Sequence, residues 1–425
     1  MSKKDLEKYL VSIQKSGFKL ELDRIKLFLN EIGNPEKSIK SILITGTNGK
    51  GSVSTFLSSI VQSLGYKVGL FTSPHLIEVN ERIRINGEKI NYDELERIVF
   101  FIKDKVKKAF EKKILPNRLT FFETMTVASF LYFNEKNVDF GVFEIGLGGR
   151  LDATNVLFPL ISAITTISYD HTRILGKTLT KIAREKAGII KPNTPIVIGR
   201  IPKHTVKIIK DFAEKNNSKL IKTFDKKNKL YKKNNRTFHY HTVKDDYFFK
   251  PKMPGNHQGE NASLAIKIYE NLPVFSKQKK SYIIKGIENA VIEGRLEIYQ
   301  DKIIFDGAHN IDGIRRLTEF LENENLRDLC CLFGVSQGKK IDEMGKMLFP
   351  FCKKIILTKA NIYRAEDPEN IYKKFSHTNR NFEIELDLKK AVEKILKNSG
   401  KSKILITGSL YLVGDVKRIL NEINT

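Results

Sequence analysis

The chain alternates short apolar runs with stretches whose apolar residues recur every three or four positions. Ser41–Thr45 (SILIT), Val68–Phe71, Phe140–Ile145 (FGVFEI) and Ile161–Ile167 are near-continuous apolar runs, the pattern of strands buried on both faces. Between them Val53, Phe56, Leu57, Ile60, Val61 and Leu64 fall on one face of a helix, and Thr126–Phe133 and Leu179–Ala187 supply further helical pieces. This alternation predicts a mostly parallel sheet covered by helices. From about Lys215 to Lys252 the pattern changes. Lys219–Phe224, Thr237–Val243 and Tyr247–Lys250 read as short antiparallel strands separated by Lys- and Asn-rich turns, a small sheet appended to the first unit. Asn256–Glu270 reads as a helix with a polar N-terminus. A second alternation opens near Glu297. It has strands at Ile303–Phe305, Leu329–Gly334, Lys354–Leu357 and Ile404–Ile406, and helices at Ile314–Glu322, Ala391–Lys397 and Gly414–Ile423. The expected architecture is α/β in two units, residues 1–294 and a smaller, Rossmann-like unit at 295–425, joined near Gly294–Arg295.

Composition narrows the class. At roughly 100–200 residues per domain, 425 residues bury a large core, and 41% hydrophobic with 29% charged residues argues against disorder. The start, MSKKDLEKYL, has no apolar signal region, and no run approaches the ~18 apolar residues of a membrane span. Cys330, Cys331 and Cys352 cannot form a disulfide framework and lack zinc-site spacing, so a reducing, cytoplasmic setting is expected. The net charge of +25 fits nucleic acid, acidic lipid, a small polyanionic substrate or a lysine-rich background.

The sharpest local feature is Thr45-Gly46-Thr47-Asn48-Gly49-Lys50-Gly51-Ser52, set between a strand and a helix. Glycines there let backbone N–H groups curl around phosphate oxygens, and the helix N-terminus adds a favourable dipole. Lys50 is suited to the β- and γ-phosphates. The loop departs from the ordinary P-loop pattern: Ile44 stands where the first Gly belongs and Gly51 where the Ser or Thr belongs, which disfavours a kinase or GTPase.

The form TGTNGKGS resembles the Mur ligase superfamily and, within it, the folylpolyglutamate synthase / dihydrofolate synthase family. Further stretches match in order: FTSPHLIEVNERI (Phe71–Ile83), EIGLGGRLDATN (Glu144–Asn155), Asp170–Ile190, HQGENA (His257–Ala262), GRLE (Gly294–Glu297), DGAHN (Asp306–Asn310) and TGSLYLVG (Thr407–Gly414). Only Lys215–Lys252 lies outside the match.

The resemblance implies an N-terminal P-loop ATPase domain, a smaller C-terminal α/β domain and an ATP-driven ligase. In that family a carboxylate is phosphorylated to an acyl phosphate, which the amine of L-glutamate attacks. Thr47, Asn48, Gly49, Lys50, Gly51 and Ser52 with Asn261, Arg295 and Asp306 are the implied ATP contacts. Lys50, His171, Lys186 and His309 are the implied catalytic group. Two Mg2+ ions are implied, the first on Ser73 and Glu144 and the second on His171 and a carbamylated Lys186, with K+ a further cation the family allows. Buried lysines shed their proton more readily, which carbamylation requires. Arg82, Phe121, Phe122 and Asp152 are the implied contacts for folate or dihydropteroate, and Ser409 for glutamate. Phe121 and Phe122 serve equally well as core residues at the start of a helix.

The remaining expectations are a monomer without nucleic-acid or membrane partners. The Lys226–Lys233 run reads as a solvated face, and His239-Tyr240-His241, whose spacing can hold zinc, reads as a surface hairpin. A cell-wall Mur ligase is disfavoured because those enzymes usually carry GKTT or GKST where this chain has GKGS. A basic RNA-binding protein with a vestigial nucleotide domain is the reading from another class; it predicts salt-steep RNA affinity without glutamate-dependent ATP turnover.

Overall fold

The computed structural model describes residues 3–15, 21–233, 236–273 and 280–424. Eight strands form the first sheet: β1 (Ser41–Thr45), β2 (Val68–Phe71), β3 (Ile83–Ile85), β4 (Glu88–Lys89), β5 (Phe140–Glu144), β6 (Ile161–Ile164), β7 (Ile196–Ile198) and β8 (Leu220–Lys222), in spatial order β4-β3-β2-β5-β1-β6-β7-β8. All neighbours are parallel except β2–β3 and β3–β4. β1 lies between β5 and β6, and its alternate side chains serve opposite faces. Leu43 joins one core cluster, while Ile42 and Ile44 join the other with the helix Lys50–Ser63. The loop that follows β1 is thereby anchored at the middle of the sheet, at the C-terminal strand ends where ligands of such sheets bind.

The region after Lys215 differs from the sequence expectation. Leu220–Lys222 is not part of the small sheet; it pairs in parallel with β7 as the edge of the large one. The helix Lys203–Lys215 carries the chain back across the sheet, and such a crossover delivers a parallel strand. The small sheet is instead β9 (Lys229–Lys232), β10 (Phe238–His241) and β11 (Asp246–Phe249), in order β11-β10-β9 and antiparallel throughout. Its first strand lies in the lysine run read as a solvated face. Leu230 is that strand's apolar anchor, packed against the core, and is too little to reveal a strand in sequence.

The inner face of the small sheet, Phe238, Tyr240, Tyr247 and Phe249, is buried against the helix Asn256–Glu270. A buried polar cluster fixes the two together. Lys267 Nζ donates to Glu270 Oε2 at 3.0 Å and to Asn228 Oδ1 at 2.9 Å, and Thr242 Oγ1 donates to Glu270 Oε1 at 2.6 Å.

Six further strands form the second large sheet: β12 (Glu297–Tyr299), β13 (Ile303–Asp306), β14 (Leu329–Phe333), β15 (Cys352–Leu357), β16 (Asn381–Ile384) and β17 (Ile404–Thr407), in order β12-β13-β17-β14-β15-β16. Only the β12–β13 pair is antiparallel. Core clusters lie on both faces. The short edge strands β12 and β16 and the helices Ile341–Leu348 and Pro368–Phe375 extend beyond the sequence expectation. Among the described residues no helix is long and apolar enough to cross a membrane.

Candidate active site

Side chains from the continuation of β6 fasten the glycine-rich loop. Thr165 Oγ1 donates to Asn48 O at 2.6 Å, Thr166 Oγ1 accepts from Asn48 N at 3.0 Å, and Thr47 Oγ1 donates to Ser168 O at 3.1 Å. Gly49 adopts φ +83, and a Cβ there would lie 2.6 Å from Asn261 Oδ1. The turn's φ therefore favours a glycine, which also leaves room for the Asn261 side chain of the helix Asn256–Glu270. Lys50 begins the helix and its Nζ donates back to Gly46 O and Thr47 O, each at 3.2 Å. Burial lowers the Lys50 pKa, opposed by the charges of Glu144 and Asp170. A glycine-rich turn whose backbone N–H groups can face an anion, an ammonium and a helix N-terminus form the arrangement that receives phosphate.

Glu144, the last residue of β5, points at this loop. Its Oε2 accepts from Ser73 N at 3.1 Å and lies 3.5 Å from where a Gly51 Cβ would stand. Burial pushes the carboxyl pKa up, opposed by Lys50, the Ser73 N–H and Arg295. A buried carboxylate with one hydrogen bond, beside a residue without a side chain, is suited to a hard cation that supplies the missing charge. Among the described residues no group of three or more His, Cys, Asp or Glu could itself hold a metal ion. Magnesium takes one or two carboxylates and completes its shell with phosphates and water.

Asp170 ties the two large sheets' units together. Its Oδ2 accepts from Asn310 Nδ2 at 3.0 Å and lies 3.3 Å from His309 Nε2, while its Oδ1 pairs with Lys339 Nζ at 2.5 Å. Burial pushes the carboxyl pKa up. The bond to His309 and the charges of His309, His171 and Lys339 outweigh it and hold the group well below the usual carboxylate range. Asn48, within the loop, donates to Asp312 Oδ2 at 3.0 Å and to Asn310 Oδ1 at 3.2 Å, and accepts from Asn310 Nδ2 at 3.0 Å. His171 stands at the rim with its side chain 40% exposed and φ +48. Asn310, Asp312 and Lys339 were not singled out by sequence reasoning. The only local signal for Lys339 is its place in the loop after β14, at a strand's C-terminal end.

Lys186 is 2% exposed on the helix Leu179–Ala187. Burial and the nearby Lys50 charge hold its pKa well below that of an ordinary lysine, while Asp170 and Asp152 act the other way. Gly149 lets this helix approach, since a Cβ there would lie 2.8 Å from Glu185 O. Asp152, expected as an acid-substrate contact, is buried in the loop after β5. Its Oδ2 accepts from Leu147 N at 2.9 Å and its Oδ1 from Thr154 N and Oγ1 at 3.1 and 2.6 Å. Its oxygens hold the loop after β5, because a buried carboxylate beside free backbone N–H groups caps them.

On the other side of Glu144, the segment after β2 carries Ser73, His75 and Arg82. Arg82 is buried, donates from Nε to His75 Nδ1 at 2.8 Å and lies 5.0 Å from the Phe121 ring centroid. Burial lowers the Arg82 pKa to about 10, and burial with the Arg82 and Arg418 charges lowers that of His75 to about 3. Phe121 and Phe122 open the helix Phe121–Glu135 and are partly buried against the core. Phe121 keeps a face toward Arg82, whereas Phe122 fills the space over Gly146, whose Cβ would meet its ring at 2.5 Å.

The second unit seats this segment: a Cβ on Gly414 would lie 1.8 Å from Leu76 O, and Arg418 Nη2 donates to Ile77 O at 3.2 Å. Ser409 is buried and accepts from Tyr411 N at 3.2 Å, capping the last helix. Asp306 accepts from Leu296 N and Ala308 N, both at 3.0 Å, and with Arg295 it edges the same cleft.

Residues 44–269 match the Mur ligase middle domain and residues 294–410 the Mur ligase, glutamate ligase domain. A dihydrofolate synthase/folylpolyglutamate synthase of Bacillus subtilis is 35% identical over 96% of this chain and 96% of its own length. The chain belongs to the folylpolyglutamate synthase / dihydrofolate synthase family of Mur ligases. The crystal structure of a folylpolyglutamate synthase from Thermotoga maritima superposes with TM-score 0.84 at 34% identity, covering 99% of this chain and 96% of that one. A Mycobacterium tuberculosis folylpolyglutamate synthase complexed with ADP gives TM-score 0.91 at 27% identity, covering 98% of each. The match to the middle domain spans the stretch from Lys215 to Lys252, which none of the short motifs covered.

Proposed function

We propose that the protein joins L-glutamate in amide linkage to a folate, with dihydropteroate as a second acid substrate, at the expense of ATP. The observation that carries this is the cleft itself. Asn48 of the phosphate loop meets Asn310 and Asp312, and Asp170 meets Lys339, of residues 295–425, with buried Arg82 and Glu144 on the acid side. These two segments are the two domains of the reading.

Phosphoryl transfer asks chiefly for positioning and charge neutralisation. Lys50 exchanges its two carbonyl partners for the β- and γ-phosphates, and Arg295 adds a planar fork for phosphate oxygens. A carboxylate oxygen of the acid, drawn in by Arg82, attacks the γ-phosphorus; the P–O bond to ADP breaks and an acyl phosphate forms. The uncharged amine of glutamate then attacks the acyl carbon, and phosphate leaves from the tetrahedral intermediate. His309, held by Gly307 O at 2.8 Å on Nδ1 and by Asp170 on Nε2, stands at the domain contact where the amine enters. Ser409 lies on the same side. Closure of the cleft keeps water from the acyl phosphate.

Magnesium held by Ser73 and Glu144, with a second ion at His171 and a carbamylated Lys186, would neutralise charge on the transferring phosphoryl group. The depressed basicity of Lys186 supports carbamylation, since CO2 adds to the free amine. Lys186→Ala is expected to lose activity and short carboxylic acids to restore part of it; retained activity would discard the carbamate. We place the enzyme in the cytoplasm as a monomer, in keeping with three free buried cysteines.

The deciding experiment measures phosphate release with magnesium, ATP and L-glutamate, run separately with dihydropteroate and with tetrahydrofolate. Release that depends on both an acid and glutamate supports the reading, and the two acids separate a single from a dual activity. No acid-dependent release with either would overturn it.

A further inference from the structure

The outward face of the small sheet carries a group of residues that the ligase reaction does not use. The strand register sets His239 opposite Tyr231 on one side and Phe248 on the other. The three rings form a column: Tyr231 and His239 are 5.4 Å apart between centroids at 28°, and His239 and Phe248 are 4.2 Å apart at 11°. Tyr231 is 44% and Phe248 50% exposed. The outward face of a half-buried sheet is ordinarily polar, so a column of rings there is out of pattern.

Four lysines stand beside the column. Lys226, Lys227, Lys229 and Lys233 line, with Tyr231 and His239, an open cavity of about 470 Å3. Two carboxylates nearby are already engaged: Asp246 Oδ1 lies 2.5 Å from His239 Nε2 and 3.0 Å from His241 Nδ1, and Asp225 Oδ1 accepts from Lys227 N and Asn228 N, both at 2.8 Å. The cavity is thus cationic, with a ring face at its wall.

We propose that this face binds single-stranded nucleic acid, with a base continuing the ring column at Tyr231 and phosphates running along the lysines. Three features select this ligand. A base can add to the column only when unpaired, and stacking on aromatic side chains is how such strands are held without sequence preference. The lysines run from the turn before β9, through Lys229 in it, to Lys233 just past it: Lys229 to Lys233 spans about 13 Å at ~3.3 Å per residue, which follows a chain of phosphates instead of gathering round one. A polyanion without rings, such as a polyglutamate, matches the lysines but leaves the column unused. The surface is separate from the phosphate loop and does not depend on the ligase reading.

The test uses the full chain and a fluorescently labelled uridine oligomer of about a dozen nucleotides, followed by anisotropy. Binding is expected in the range of about 1–100 µM, weakening steeply between about 50 and 200 mM salt. Tyr231→Leu, which keeps an apolar side chain but removes the ring, is expected to weaken it about 5- to 150-fold. Replacing Lys226, Lys227, Lys229 and Lys233 with Gln is expected to flatten the salt dependence by about 0.7 in slope per lost phosphate contact. That variant leaves the buried face of the sheet untouched. Both variants are expected to keep glutamate ligation, which reports that they fold. Equal binding of an abasic oligomer or of polyglutamate at matched charge overturns the proposal. So does unchanged affinity in Tyr231→Leu, or an unchanged salt slope in the lysine variant.

Discussion

The ion pair between Asp170 and Lys339 bridges the two units at 2.5 Å, with the side chains 7% and 13% exposed. Its energetic role can be measured by a double-mutant cycle of Asp170→Asn and Lys339→Met. At 4 Å and an effective dielectric constant of about 20, two unit charges attract by ~4 kcal/mol, part of which offsets the cost of removing them from water. Losing Asp170 strands the buried Lys339 ammonium, which costs about 3 kcal/mol or more, whereas losing Lys339 leaves Asp170 with Asn310 and His309 and costs less. Asp170→Asn is therefore expected to lose roughly 150-fold in kcat/KM for glutamate-dependent phosphate release, since ~1.4 kcal/mol is tenfold, and Lys339→Met less than that. The double variant has no stranded charge. Its loss is expected to fall short of the sum by about 2 kcal/mol, a factor of roughly 30. Melting curves of all three variants report whether they fold. If the double variant loses the sum of the two singles to within ~0.5 kcal/mol, the pair does not act as a unit and the reasoning fails.

Three other outcomes are open to measurement. Gly414→Ala sets a Cβ against Leu76 O, so the segment bearing His75 and Arg82 must shift. The KM for the acid is expected to rise about tenfold while ATP affinity, measured by calorimetry, stays the same; an unchanged KM counts against the contact. Arg24 lies against Glu123 with side chains 3% and 4% exposed, so Arg24→Met leaves a buried carboxylate unpaired and should cost about 3–5 kcal/mol in urea unfolding, with a loss below ~1 kcal/mol as the contrary result. Burial together with the charges of Arg316 and Arg295 lowers the His257 pKa to about 3, and His75 is depressed similarly. The unfolded chain then binds more protons than the folded one between pH ~6.5 and ~3, so the stabilising effect of burying both rings uncharged is complete above pH ~6.5 and is lost as the pH falls toward 3. His257→Gln should flatten the acid limb of a stability–pH curve, and an unchanged limb would show that His257 does not contribute.

Legibility in the sequence followed how locally each feature is encoded. The glycine-rich loop could be read because its strand, turn and helix are contiguous, and SILIT and Val68–Phe71 coincide with observed strands. Glu144 and Lys186 were reached through the family resemblance, and their burial bears on roles that no spacing rule supplies. Lys339 and Asp312 were invisible because their partners lie 169 and 264 residues away, and a lysine in a chain so rich in lysine carries no signal of its own. β9 escaped for a related reason: its inward side offers only Leu230, and its outward ring column exists only once three strands are in register. Asp152 was named through the resemblance as an acid-substrate contact, and its bonds to Leu147 and Thr154 lie within its own loop.

The two sides of the cleft are built from different materials. Toward the acid substrate, Leu76 packs beside Gly294 at the joint and against the second unit's core cluster that includes Val413, an oily seam. Toward the phosphates, Asn48, Asp170, Asn310, Asp312 and Lys339 meet through side-chain hydrogen bonds and one ion pair. Parting the seam exposes carbon to water at about 25 cal/mol per Å2, whereas the polar contacts can be exchanged for bonds to water at roughly 1 kcal/mol each or less. The molecule is thus bound like a book, with a greasy spine and a wet clasp. Nucleotide and phosphate can come and go on the clasp side while the spine keeps the two covers in register from one turnover to the next.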